Sequence, residues 1–221
     1  MVSLKLFSLN NVMDLPVQWR QDIRDFFKDP SGKAGTPFRE IRLDPPMPWQ
    51  DIHHEAQAQT HKCMQLAPKS NHASWVGITI HGVSAYHFKP CAKEGVEMDE
   101  CSWTDVGEEC PVTVSWLKSL PYYKQFGRIM FAWVHGKGWI QPHTDRKWEG
   151  FSGINYGVYN PDGCYMLMEP GKYIPWTNGS AYQLDLSFEH AVINRGTEGR
   201  LHIICEGILD NDILNKYLYE S

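Results

Sequence analysis

Residues 141–146 read Gln-Pro-His-Thr-Asp-Arg, and within them His143 and Asp145 form the compact half of a three-ligand metal site. On an extended strand, residues i and i+2 point to the same face, so both side chains can reach one ion. A third ligand has to come from elsewhere, and His190, at the end of Ser187-Phe188-Glu189-His190, is the candidate. Two imidazoles and one carboxylate on one face of an octahedral ion leave three positions open, the arrangement of non-haem Fe(II) oxygenases. Those positions suit a bidentate oxo acid and dioxygen. Glu189 points away from His190 on a regular strand and is not expected to be a ligand.

Taken alone, His-x-Asp is a weak signal, because ten histidines among 26 acidic residues produce such pairs by chance. Arg200 adds the weight. The run from Ala191 to Asn194, the Gly-containing stretch 195–199 and the apolar run Leu201 to Ile204 read as a hairpin. With a loop of three or five residues, Arg200 falls beside Val192 or Asn194 and faces the same side as His190. The offset is two to four residues, roughly 7 to 13 Å. A five-carbon diacid chelating the metal at one end places its other carboxylate near the lower value, and arginine grips a carboxylate through a bidentate, charge-assisted pair. A zinc hydrolase using the same His-Asp-His cluster is the rival from another enzyme class, and a non-catalytic binder of metal or organic acid is a second. Arg200 separates the readings, since a hydrolase needs no anion clamp at that distance.

The elements that must position these residues are short strands. From Arg128 onward, apolar alternation and turn signals recur: strands at 128–134, 139–143, 154–159 and 164–168 are punctuated by Gly136-Lys137-Gly138, Asn160-Pro161-Asp162-Gly163, Pro170-Gly171 and Asn178-Gly179. Such spacing means a sandwich or barrel. Ahead of it, helices are expected over 14–27, over 49–66 with Ile52, Ala56, Met64 and Leu66 inward, and over 112–119 after Pro111. A short strand is expected at 38–43 and a buried one at 75–82. Residues 84–109 lack periodicity and read as a long surface loop, a candidate lid that sets substrate specificity. Asn155 and Tyr182 fall on core strands, where polar groups need partners. His202 shares the face of Arg200. Arg146, Trp148, His135, Lys137 and Trp139 are weaker candidates for the substrate entrance.

The 221 residues suit one domain, with a β core over about 126–208 and an N-terminal helical buttress and loop over about 1–125. The 42% hydrophobic and 21% charged fractions describe a globular chain. A net charge of −5 without a Lys/Arg cluster argues against a nucleic-acid partner. The N-terminus lacks the apolar core of a signal peptide, and no apolar run approaches the roughly 20 residues of a membrane span, so a cytoplasmic location is expected. The six cysteines are scattered with no C-x-x-C pair and read as free thiols; Cys91, Cys101 and Cys110 share a segment, which leaves a disulfide or a zinc clip open there.

Over residues 112–207 the sequence also resembles the aspartyl/asparaginyl β-hydroxylase family of 2-oxoglutarate- and Fe(II)-dependent oxygenases. The resemblance rests on Gly127-Arg128-Ile129, Pro142-His143-Thr144-Asp145, Gly157, Asn160-Pro161-Asp162-Gly163-Cys164, and Ser187-Phe188-Glu189-His190 with Arg200. It implies a mainly β fold with flanking helices, a double-stranded β-helix (jelly roll, cupin-like). It also implies His143 and His190 as iron ligands and Arg200 as the grip on the distal carboxylate of 2-oxoglutarate. Three positions depart from the family pattern. Asp145 stands where the peptide-hydroxylating animal members have glycine. Asn155 aligns with a family histidine that holds the co-substrate near the metal, and Ala132 falls near a small polar residue that assists the distal carboxylate.

The expected activity is therefore hydroxylation of an unactivated C–H bond of a small amino-acid-like or peptidyl substrate, with Fe(II), 2-oxoglutarate and dioxygen consumed to give succinate and carbon dioxide. Asp145, His143 and His190 carry the metal, while Arg200, Asn155 and His202 hold the co-substrate. Asp145 fills the position a halide would need, which favours hydroxylation over halogenation.

Overall fold

The computed structural model describes residues 37–66, 74–88, 98–145, 153–168 and 172–219. The helix expected over 14–27, together with Cys91, Arg146 and Trp148, lies outside them. In chain order the elements are β1 (Phe38–Ile41), α1 (Trp49–Ala58), β2 (Met64–Gln65), β3 (Trp75–Gly82), β4 (Ser102–Trp103), α2 (Asp105–Glu108), α3 (Pro111–Ser119) and β5 (Tyr123–Val134). They continue with β6 (Trp139–His143), β7 (Gly153–Tyr159), β8 (Cys164–Met168), β9 (Lys172–Tyr173), β10 (Ser180–Leu184), β11 (His190–Asn194), β12 (Arg200–Leu209) and α4 (Asn211–Leu214).

All the strand pairings are antiparallel, and they form two sheets. The major sheet runs β1-β10-β7-β12-β5-β3-β2 with β4 added to β3, and the minor sheet runs β6-β11-β8-β9. This is the expected jelly roll. The N-terminal half does more than buttress it, because β1 to β4 extend the major sheet.

Alternation along the strands separates two cores. Ile129, Phe131 and Trp133 on β5, Ile154, Tyr156 and Val158 on β7, and Leu201, Ile203 and Cys205 on β12 pack with Ile52 and Ala56 of α1, Val106 of α2 and Leu117 of α3. The helices therefore cover one face of the major sheet, as expected. The opposite face meets the minor sheet through Val134, Tyr182 and Leu184 against Ile140, Met166, Met168 and Val192. Functional side chains have to project into this second space.

Two local expectations fail. α1 stops at Ala58, and the chain leaves it to pair β2 with the edge of β3, so Met64 is 48% exposed rather than inward. The stretch expected as a loop over 84–109 contains β4 and α2. The Thr104 hydroxyl donates to the Thr79 carbonyl at 2.9 Å and accepts from the Gly107 amide at 3.2 Å, pinning the N-terminus of α2 on β3. Val106 is fully buried on the helix-covered face, away from the space between the sheets, so this part of the segment is packed core and not a lid.

Candidate metal centre and anion site

The strand pairing makes the metal cluster. His190 on β11 stands directly opposite His143 on β6, and the imidazole centroids are 4.2 Å apart. Pro142 precedes His143 at no cost because β6 is the edge of the minor sheet. Asp145 lies just beyond the strand end rather than on it, and its amide donates to the Leu186 carbonyl at 2.9 Å, folding it back toward His190. One ligand atom from each of His143, Asp145 and His190 falls within 4.8 Å of the others. Glu189 is not part of the cluster.

Both imidazoles are oriented for a metal. Nδ1 of His143 lies 2.8 Å from the Gln141 carbonyl, and Nδ1 of His190 lies 3.0 Å from the Phe188 carbonyl. A carbonyl only accepts, so each Nδ1 carries the proton and each Nε2 keeps a lone pair for coordination. Burial, followed by the neighbouring His143, pushes the pKa of His190 down to about 4, which keeps it in the neutral form a metal requires. The donor set fits Fe(II), with three coordination positions left over.

Arg200 comes to the same interior by a route the sequence did not predict. β11 and β12 are not a hairpin: β11 pairs with β6 and β8, whereas β12 pairs with β5 and β7. Residues 195–199 turn a corner between the sheets, held by Asn194, whose Nδ2 donates to the carbonyls of Val134, His135 and Glu198 at 3.1, 3.2 and 2.7 Å. The corner is close-packed; a Cβ at Gly136 would lie 2.1 Å from the Thr197 carbonyl oxygen. Leu201 and Ile203 face the helices, so Arg200 and His202 face inward from the sheet opposite His190. The shared interior expected for His190 and Arg200 is present, but it lies across the sandwich rather than along one sheet.

Counting from the corner orders the chamber. His190 is four residues back from Asn194, and Ile204 is four residues forward from Arg200. Asn155, which pairs with Ile204 and alternates with Ile154 and Tyr156, therefore stands toward the metal end. Arg200 stands at the corner end, hydrogen-bonded to the thiol of Cys164, the strand partner of Asn194. Its Nη2 donates to Nδ1 of His202 at 2.9 Å, two residues along β12, so the guanidinium lies along β12 in the direction of His202. His202 stands beside Ala132 across the β12–β5 pairing.

Arg200 is only 6% exposed, and among the described residues no carboxylate pairs with it; its Nη1 is buried with no hydrogen-bond partner. Nε2 of His202 is likewise buried and unpaired. Burial lowers the pKa of both groups. A buried guanidinium without an anion is expensive, and one carboxylate at this end of the chamber relieves it. Lys137 and Trp139, offered as entrance residues, lie instead at the far end of β6 beside Arg195 and Gly196, with Trp139 opposite Ile193 on the outer face of the minor sheet.

A family model described as aspartyl/asparaginyl β-hydroxylase matches residues 47–208, more than half of the chain. The chain belongs to that family. It is therefore a hydroxylase of the 2-oxoglutarate- and Fe(II)-dependent oxygenase type with a His-Asp-His site. A search of curated proteins finds no significant match. Among similar solved structures are a prolyl hydroxylase from Trichoplax adhaerens in complex with a hypoxia-inducible-factor oxygen-degradation-domain peptide fragment (TM-score 0.48, 12% identity, covering 93% of this chain and 98% of that one), a 2OG-Fe(II) oxygenase family oxidoreductase from Burkholderia pseudomallei (0.45, 8%, 72% and 76%) and a prolyl-4-hydroxylase from Pseudomonas putida (0.43, 12%, 84% and 96%). Among the described residues of this hydroxylase, no helix is long and apolar enough to cross a membrane.

Proposed function

We propose that the chain is a single-domain oxygenase in which His143, Asp145 and His190 hold Fe(II), and Arg200, His202 and Asn155 hold 2-oxoglutarate. The observation that carries this reading is Arg200, a buried cation with no anionic partner among the described residues, facing the same chamber as the His-Asp-His cluster. Bound together, Fe(II), 2-oxoglutarate and dioxygen would supply the oxidant, converting the oxo acid to succinate and carbon dioxide as a C–H bond is hydroxylated. The residues do the rest. Backbone carbonyls of Gln141 and Phe188 fix the imidazoles with Nε2 toward the ion. Arg200 takes the distal carboxylate, and Asn155, at the metal end, offers its side-chain amide to the chelating end. Met166, Met168, Val192 and Phe188 keep the surroundings dry, which strengthens each charged contact.

The substrate class is a small amino-acid-like molecule or a peptide. Asp145, which the peptide-hydroxylating animal members lack, favours the former. Cys63, Cys110, Cys164 and Cys205 form no disulfide among the described residues, in keeping with a reducing, cytoplasmic setting. Anaerobic titration with Fe(II) and 2-oxoglutarate tests the site: a weak visible charge-transfer band is expected, and its absence together with no succinate formation would overturn the reading. Screening free amino acids, peptides and nucleosides for stimulated succinate release identifies the substrate. The zinc-hydrolase and non-catalytic alternatives predict no succinate with any of them.

A further inference from the structure

The chamber holds a third orphaned donor. Nε1 of Trp176 is buried and has no hydrogen-bond partner among the described residues, and tryptophan can only donate through it. Together with Arg200 Nη1 and His202 Nε2, it makes three buried nitrogens without partners on side chains that face one interior. The His202 tautomer is set by its neighbour. Arginine cannot accept, so Nδ1 of His202 must be the acceptor of the 2.9 Å bond, and the proton sits on Nε2. All three atoms are therefore N–H donors, and a cluster of donors with no acceptor among the described residues calls for an anion.

Packing brings Trp176 to this cluster. Its ring meets that of His202 edge to face at 4.3 Å and that of Tyr182 at 4.6 Å. It enters over Gly157, the strand partner of His202, where an added Cβ would lie 3.0 Å from Trp176 Cε3 and 3.1 Å from the Thr177 carbonyl. Cε3 and Nε1 are on opposite edges of an indole. With the Cε3 edge against Gly157, the N–H edge is turned away from that strand, toward the space between the sheets.

We infer that Trp176 is a co-substrate-binding residue, donating its indole N–H to the distal carboxylate that Arg200 grips, with His202 Nε2–H as the companion donor. A carboxylate has about four lone-pair sites, enough to accept from all three groups. Gly157 serves this arrangement by leaving room for the indole. The inference rests on the proposed function, because the anion is taken to be 2-oxoglutarate.

The test is calorimetric binding of 2-oxoglutarate, and of 2-oxobutyrate, which lacks the distal carboxylate, to protein loaded with redox-inert Mn(II). Trp176→Phe keeps an aromatic ring at the position and removes the N–H together with part of the indole, a loss of volume that the 2-oxobutyrate arm reads separately. It is expected to weaken 2-oxoglutarate binding about 10-fold, the weight of one hydrogen bond to a charged group, and to leave 2-oxobutyrate and Mn(II) binding unchanged. His202→Leu should act the same way, with His202→Gln restoring most of the affinity. In protein loaded instead with diamagnetic Zn(II), the indole N–H resonance of Trp176 should shift on adding 2-oxoglutarate and not 2-oxobutyrate. If the N–H points instead at the Tyr182 ring, Trp176→Phe binds 2-oxoglutarate like the parent and the inference is overturned. Equal losses for both acids would show a merely structural role and also overturn it. Wild-type protein that takes up neither acid would overturn the proposed function itself.

Discussion

Arg200 donates to His202 at 2.9 Å inside the sandwich, and no carboxylate among the described residues balances its charge. The pair can be tested without knowing the substrate.

Arg200→Ala should raise the dissociation constant for 2-oxoglutarate at least ~30-fold, since losing one partner of a buried charge pair costs about 2 kcal/mol or more. Mn(II) affinity should change little, because the three metal ligands sit at the other end of the chamber. Calorimetry on the two proteins checks this, and equal losses would count against the assigned role.

Asp145→Gly should separate metal binding from folding. Even partners one shell out from a metal are worth ~10 to 100-fold in affinity, so losing a direct ligand should cost at least ~10-fold. Asp145 is half-buried beyond the end of β6, and the glycine keeps the amide that bonds Leu186, so the melting temperature of the metal-free protein should hold. Competition with a metallochromic chelator measures the first and a thermal melt the second.

2-Oxoglutarate should stabilise the protein through Arg200. At a free concentration of about 100 times its dissociation constant, linkage gives about 2.7 kcal/mol. A melt with Mn(II) should therefore shift upward by several degrees on adding 2-oxoglutarate, and Arg200→Ala should abolish the shift at the same concentration.

Acid should destabilise the metal-free protein. Burial lowers the pKa of His81, His190 and His202 in the folded chain, to about 4 for His190. In the unfolded chain these imidazoles take up protons below about pH 6.5, so the unfolded state binds more protons as pH falls. Their contribution is present in full above about pH 6.5 and is lost progressively toward pH 4. The melting temperature should be several degrees lower at pH 5 than at pH 7.5, and a flat profile would contradict the burial of these rings.

Asn194→Ala should unfasten the corner. Three carbonyls lose a donor, at about 1 to 3 kcal/mol for a buried group left unsatisfied, so urea unfolding should show a loss of at least ~2 kcal/mol. Because β12 starts from that corner, 2-oxoglutarate binding should weaken more than Mn(II) binding.

Much of the site was legible in residue types and short spacings. His143 and Asp145 are two apart, Arg200 stands at the head of an apolar strand, and alternation over 128–168 predicts the strands, because side-chain direction on a strand has period two. That same period placed Arg200 and His202 on one face. Local pattern was less informative where a segment's partner lay far away. The residues beyond Ala58 look helical until β3 offers them an edge, and 102–108 looks like loop until Thr104 meets Thr79.

The sequence by itself determined which atoms are available: two imidazoles, a carboxylate and a guanidinium in a β-rich chain. Only the tertiary structure decided how they meet. Read locally, 190–204 is a hairpin with both residues on one sheet; in the fold Asn194 turns the chain through a corner and the sheets face each other. The same long-range packing brought Trp176 beside His202 over Gly157, a contact with no signal in sequence spacing. Hydrogen bonds to distant carbonyls and the absence of one Cβ set these approaches, and neither is written in the periodicity of a single strand.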